Sequence, residues 1–304
     1  MGPPRVADVG VEQESPATRV STPVDGVDVL GALSPSRAGD FMSCPLLYRF
    51  RTIDRLPEPP SPDAVRGTVI HKVLEDLFDL PAAERTPETA DRMLVPAWEA
   101  LVEQDPTLVE MLGATGGPET AAWLAHCREV LARYFSLEDP RRLEPAEREL
   151  YVEALLDSRL LLRGFVDRID VAPDGSIRVV DYKSGNAPSE IFEAKALFQM
   201  KFYALVIWRT RGVVPAMLQL VYLGDAQILR YVPDEADLLA TQRKVEAVWE
   251  AIRLVAESGD WRPNRSRLCD WCAHRAICPA WGGTPPPLPE RIVPVDLEGP
   301  DLPD

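Results

Sequence analysis

Helices packed around one mixed β-sheet is the architecture this sequence predicts, and three observations carry it. Residues 163–170 and 177–183 alternate with the period of two that belongs to strands, and Pro173-Asp174-Gly175 supplies a turn between them. Longer segments on either side repeat apolar residues at helical spacing, as in Val69, Ile70, Val73, Leu74 and Leu77. Strand-like stretches then recur after a further helix, an order that demands a sheet covered on its faces.

Taken along the chain, residues 1–30 mix Pro, Gly, Val and acids without periodicity and read as a disordered tail. Ser34-Pro35 starts a helix, with Ser as N-cap and Pro at the first helical position. Residues 57–62 form a proline-rich linker, and a helix follows from Asp63 to about residue 78. Two more helices are expected near 87–104 and 119–136, then a β region over 148–183. Residues 189–211 read as helix, 216–223 and 227–232 as paired strands, and 234–257 as a long amphipathic helix. The sheet should hold about five strands. Residues 283–304 carry Pro285-Pro286-Pro287 and four further prolines, an acidic, extended tail. The partition is therefore 1–30, 31–282 and 283–304, with a cysteine-bearing element over 261–282.

With 304 residues, 46% apolar and 27% charged, the chain can bury a sizeable core. It offers no apolar run of the roughly 18–20 residues that span a bilayer and no visible secretory leader. Five cysteines, mostly clustered, argue for a reducing cytoplasm rather than a disulfide scaffold. The net charge of −15 weakens long-range attraction to nucleic acid without excluding it, because the charge is uneven. The first 30 residues hold two arginines against five acids, and residues 283–304 hold one against five. Residues 261–282, by contrast, hold Arg262, Arg265, Arg267 and Arg275 against Asp270 alone.

The chemistry concentrates in the hairpin. Asp181 and Lys183 share one face of their strand while Tyr182 points away, and the hairpin brings Asp167 beside Asp181. Two close carboxylates repel unless a cation lies between them, and oxygen ligands of this kind suit Mg²⁺ or Mn²⁺. His71, in Gly67-Thr-Val-Ile-His71, offers an imidazole to the same ion if its helix crosses the hairpin. Glu149 opens the strand before the hairpin, with Glu147 and Glu153 as rivals. Gln199 and Tyr203 lie one helical turn apart and present an amide and a phenol on one face.

His71, G-F-V-D167-R-I-D, D181-Y-K183-S-G and Q199-M-K-F-Y203 together resemble the RecB-family nuclease domain of the PD-(D/E)XK superfamily, over roughly residues 33–279. The resemblance implies a restriction-endonuclease-like αβββαβ core with helical insertions. It implies His71, Asp167 and Asp181 as metal ligands and Lys183 as the group that positions the attacking water. Glu149 takes the place of the family's first-strand glutamate, and Gln199 and Tyr203 would contact DNA or brace the site. Ser184 stands where many relatives have Thr.

Cys269-x2-Cys272-x5-Cys278-Pro279 and the distant Cys44 form the second candidate site. Clustered thiolates point to metal; zinc fits four sulfurs, and a Cys-Pro ending also occurs in iron–sulfur runs. The one-plus-three distribution resembles an iron–sulfur subgroup of these nucleases, including AddB-like and CRISPR-associated relatives, and implies a 4Fe–4S cluster on Cys44, Cys269, Cys272 and Cys278. Such a clasp would join the two ends of the domain and restrict the unfolded chain by about 4–5 kcal/mol, by analogy with disulfide loop closure. Cys127, on an amphipathic helix, reads as a small buried apolar residue. Arg265 and Arg267, beside the cysteines, are candidates for phosphate contact.

The function expected is a Mg²⁺- or Mn²⁺-dependent DNA exonuclease acting on single strands or ends in repair or recombination. The alternative is a non-catalytic DNA-binding or interaction subunit of a repair complex. No G-x-x-x-x-G-K-[ST] motif is present, so unwinding would come from a helicase partner.

Overall fold

A computed structural model of the chain describes residues 29, 31–113, 115–188 and 190–289, and the side chains of 190–193 are not described. The expected N-terminal tail, apart from Val29, and residues 290–304 lie outside the described residues. Eight α-helices and six strands are found among them: β1 Gly31–Leu33, α1 Pro35–Ser43, α2 Pro45–Tyr48, α3 Pro62–Leu77, α4 Pro87–Gln104, α5 Leu108–Leu112, α6 Pro118–Leu137, β2 Glu147–Leu155, β3 Leu160–Val171, β4 Ile177–Lys183, α7 Glu190–Arg211, β5 Met217–Tyr222, β6 Gln227–Tyr231 and α8 Glu235–Ser258. The segment α3 to β5 contains the αβββαβ order. The sheet holds six strands, not five, because Gly31–Leu33 pairs in parallel with Leu160–Leu162, too short a strand to show in the sequence.

Helix starts follow local chemistry. Ser34, Ser61 and Thr86 each accept a hydrogen bond from a first-turn N–H, and Pro35, Pro62 and Pro87 fill the next position, where no N–H is needed. Asp234 and Asp237 close α8 with a reciprocal capping box, and Gly259, at φ 69, ends it in the left-handed conformation.

Period two divides the sheet's side chains between two helical layers. On one face Val179 and Leu220 pack against Phe41 of α1, Phe202 and Leu205 of α7, and Val245 and Ile252 of α8. On the other, Val180, Tyr182 and Val221 pack against Ile70 and Leu74 of α3, Leu94 and Trp98 of α4, and Tyr134 of α6. Each layer buries large apolar surface, at about 25 cal/mol per Å² removed from water.

The pairing along β3 creates the site. β2 runs antiparallel to it from Glu147↔Ile169 to Leu155↔Leu161. β1 pairs with residues 160–162 and β4 with 168–171, so both must use the edge of β3 that β2 leaves free. Between them that edge carries no strand over 163–167, and Gly164 and Asp167 sit in the notch. Gly164 is required there: a Cβ would approach the Tyr203 ring to 2.8 Å.

The C-terminal element returns to the start of the domain. Trp261 stacks on Tyr48 with centroids 6.0 Å apart, the Asn264 N–H donates to Cys44 Sγ at 3.3 Å, and buried Arg49 donates to the Pro286 carbonyl at 2.5 Å. Arg49–Ile53 forms a π-helical turn that the sequence did not announce.

Candidate active site

The β3–β4 ladder ends at Arg168↔Val180, so Asp167 and Asp181 stand where the next pair would be and the strands part. Asp167 Oδ2 accepts the Tyr182 N–H at 2.6 Å, which fixes its carboxylate in the gap. Asp181, 2% exposed, lies against Lys183, whose Nζ is 2.9 Å from Oδ2. Gln199 of α7 ties the pair together, accepting from Lys183 at 3.1 Å and donating to Asp181 Oδ1 at 3.2 Å. Tyr203 OH lies 3.5 Å from the same amide nitrogen.

His71 of α3 completes the cluster. Its Nε2 lies 3.0 Å from the Tyr182 carbonyl, which can only accept, so Nε2 carries a proton. Nδ1 then faces Glu149 Oε1 at 3.6 Å and Asp167 Oδ2 at 3.7 Å. Among the described residues, His71, Glu149 and Asp167 are the group whose candidate ligand atoms all lie within 4.8 Å of one another. Asp181, expected as a ligand, is adjacent but turned toward Lys183; Glu149, expected for catalysis, is the third member of the compact trio.

Glu149 is the one of three rival glutamates brought here. Glu147 faces Arg211 at 4.0 Å, and Glu153 accepts from Tyr151 OH at 2.8 Å. Glu149 lies between the paired Arg148↔Arg168 and Leu150↔Val166 but does not itself pair, and its φ is 41. A left-handed conformation in a non-glycine residue costs roughly 1–2 kcal/mol, and here it accompanies an acid placed opposite Asp167.

The electrostatics are those of a site short of positive charge. Burial raises the Asp181 carboxyl to about 6, Lys183 working against the shift and Asp167 adding to it. Burial likewise raises Asp167, opposed by His71 and reinforced by Glu149. Burial alone would lower His71, but Asp167, Glu149 and Asp181 outweigh it and bring the imidazole to about 9. Lys183 is lowered by burial and raised further by Asp181 and Asp167, so its net shift is upward. Asp181 Oδ2 is buried, with the Lys183 ammonium at 2.9 Å as its counter-charge, which Asp167 also draws on. One imidazole nitrogen and the carboxylate oxygens of Glu149 and Asp167 are a fitting donor set for Mg²⁺ or Mn²⁺.

Alternate residues of the same strands do something else. Arg168, 1% exposed, holds Glu138 through two hydrogen bonds of 2.8 and 3.0 Å, pairs with Asp170 at 3.1 Å and bonds Tyr182 OH. Gln219 donates to Glu138 at 2.8 Å. Sequence reasoning does not find Glu138, which lies just beyond α6 and meets Arg168 only through the fold.

The cysteines expected as ligands gather elsewhere. Cys44, Cys269, Cys272 and Cys278 line one cavity with Arg265, Arg275 and Trp281. Asn264 and Ser266 aim backbone N–H groups at Cys44 and Cys269 Sγ, at 3.3 and 3.4 Å. Burial raises the Cys272 thiol, and the charges of Cys269, Cys278 and Cys44 add to the shift. Cys127 is fully buried in the helical layer, away from them. Arg265 lies over the Trp281 ring at 4.3 Å, and Arg267 is exposed; neither lines the groove that holds His71, Asp167 and Asp181.

That groove encloses about 1500 Å³. No helix among the described residues is long and apolar enough to cross a membrane.

Among known proteins, the chain is similar to the Gene 69 protein of Mycobacterium phage D29, 28% identical over 205 residues that cover 59% of this chain and 70% of that one. It is also similar to an ATP-dependent helicase/deoxyribonuclease subunit of Streptococcus equi subsp. zooepidemicus (strain H70), 28% identical over 170 residues. Those residues are 55% of this chain but 15% of that much longer protein. A crystal structure of an exonuclease candidate from Eubacterium rectale has the same fold, with a TM-score of 0.52 at 15% identity, covering 81% of this chain and 88% of that one. The family model of the PD-(D/E)XK nuclease superfamily matches residues 32–279, a span that contains the notch, its acids and all five cysteines, and the chain belongs to that superfamily.

Proposed function

We propose that the protein is a divalent-metal-dependent deoxyribonuclease that cuts single-stranded DNA or DNA ends, working in repair or recombination beside a helicase partner. The compact trio of His71, Glu149 and Asp167, with Asp181 buried next to it, carries this reading. Mg²⁺ or Mn²⁺ held there would supply charge neutralisation at the phosphodiester and a more acidic water. The protein's own groups do the rest. The Tyr182 carbonyl keeps a proton of His71 on Nε2 and leaves Nδ1, which faces Glu149 and Asp167, as the ring nitrogen that would hold the metal. Lys183, held by Asp181 and Gln199, places a fixed positive charge where negative charge builds on the phosphoryl oxygens. Gln199 keeps both side chains in register, and Tyr203 lies along Gly164 at the notch. Incubation of the purified protein with end-labelled single- and double-stranded DNA, with and without Mn²⁺, is the test. Cleavage that needs metal and disappears in Asp181→Ala supports the assignment; metal-independent cleavage, or none, removes it.

The four clustered cysteines hold a 4Fe–4S cluster in this proposal. Cys44, Cys269, Cys272 and Cys278 share one cavity. The N–H donors aimed at two of the sulfurs suit anionic thiolate ligands, and the Cys278-Pro279 ending, which recurs in iron–sulfur ligand runs, favours a cluster. Anaerobically purified protein should be brown and hold about four irons per chain. Cys44→Ala and Cys278→Ala should both lose iron, and Cys127→Ala should keep it. One zinc in a colourless folded protein would overturn the cluster.

A further inference from the structure

Trp271 is 80% exposed, whereas Trp98, Trp123, Trp249 and Trp261 are at most 9% exposed. An isolated exposed apolar residue is ordinary, but this one has a particular place. It ends the short 3₁₀ turn Arg267–Trp271, between Cys269 and Cys272, and it lines the groove that holds His71, Asp167, Asp181 and Lys183. The turn is capped by Ser266, whose hydroxyl accepts the Leu268 N–H at 3.2 Å, and Cys269 and Cys272 on either side of the indole line the cysteine cavity. At about 1500 Å³ the groove exceeds the roughly 300–1,000 Å³ of small-molecule pockets and has room for a run of nucleotides.

We infer that Trp271 is a stacking platform on which a nucleobase of single-stranded DNA rests as the strand enters the cleavage site. The inference rests on the nuclease reading above and adds to it how the substrate is held. Stacking matters here because the groove is poor in uncommitted positive charge. Arg51 is taken by Asp40 and Glu58, both at 2.8 Å, Lys183 by Asp181, and Arg37, also on the groove wall, has a partner of its own. Lys195 stands exposed on the groove wall. With one or two phosphates neutralised, the slope of log K against log salt for a single strand is only about −0.7 to −1.4. Base–aromatic stacking, insensitive to salt and tolerant of sequence, supplies the remainder.

The test is the affinity of the anaerobically purified full chain for a labelled oligothymidylate without added divalent metal, read by fluorescence anisotropy. Trp271→Ala should weaken binding about 5- to 150-fold, the range of one stacked base, with the salt slope unchanged. Trp271→Tyr should restore most of the affinity. Lys195→Gln should instead make the slope shallower by about 0.7. An oligomer of abasic residues should bind wild type and Trp271→Ala alike. Equal oligothymidylate binding by wild type and Trp271→Ala, in a wild type that cuts DNA with Mn²⁺, overturns the platform alone. A wild type that neither binds nor cuts DNA overturns the nuclease reading and the platform with it. A Trp271→Ala defect as large on the abasic strand as on oligothymidylate shows a contact to the backbone and overturns stacking.

Discussion

The two sides of the β3–β4 pair, built from neighbouring residues of the same strands, solve opposite electrostatic problems. On one side Arg168 satisfies Glu138 and Asp170, and although burial works against it, the Glu138 carboxyl is held below its ordinary value by its bonds to Arg168. On the other, Asp167 and Asp181 are raised by burial and share Lys183 and an imidazole. Glu138, Asp167 and Asp181 are all buried or nearly so; what differs is whether the protein supplies the counter-charge. The closed side is structure. The open side is a place where folding leaves a deficit of positive charge for an added cation to fill.

The contrast is broken most directly by removing one member from each side. Asp181→Ala should lower metal-dependent cleavage by about two to three orders of magnitude or more, with the melting temperature kept or raised. Near wild-type cleavage in that variant would sink the division. Arg168→Met should do the reverse, costing about 3–5 kcal/mol in urea titrations because Glu138 is left buried and unpaired. Tyr182→Phe sharpens the contrast within one residue, since its N–H serves Asp167 while its hydroxyl serves Arg168. Cleavage should survive and stability fall by about 1 kcal/mol.

The smallest expected effect is in proton linkage. Asp181, at about 6 instead of 3.8, keeps its proton in the folded chain after the unfolded chain has lost it. Its contribution to stability is complete below pH 3.8 and is lost as pH rises through 6. Glu138 is shifted down from 4.5, so its contribution is present above that value and is lost as pH falls below it. In metal-free protein, Asp181→Asn should flatten the loss of stability from pH 4 to 7, and Glu138→Gln should flatten the gain on leaving acid. Identical pH profiles for the two variants would contradict the contrast. Mn²⁺ affinity should rise between pH 6 and 9, since binding displaces the proton that His71, at about 9, still holds.

Local rules made much of the fold readable. Ser-Pro and Thr-Pro helix starts, the 3.6-residue stripe of α3 and the alternation of β3 and β4 all act within a few residues. The alternation also places Tyr182 away from Asp181, as the hairpin predicts. Three features were not readable, because each depends on residues far apart in sequence. β1 is three residues long and exists only because β3 offers an edge. Glu138 meets Arg168 across 30 positions. The left-handed backbone of Glu149 follows from no local propensity, and nothing in the residues themselves separated it from Glu147 and Glu153.

The docking of Trp261 on Tyr48, and of Asn264 on Cys44 across 220 positions, bears on how the protein is made. At about 5–20 residues per second, a ribosome needs roughly 10–45 s to go from one partner to the other. Until then Leu46, Tyr48 and Phe50, all at most 2% exposed in the finished domain, have none of that cover. The beginning of the domain is thus the last part to be completed, and early interruption of synthesis should release fragments that depend on chaperones to stay in solution.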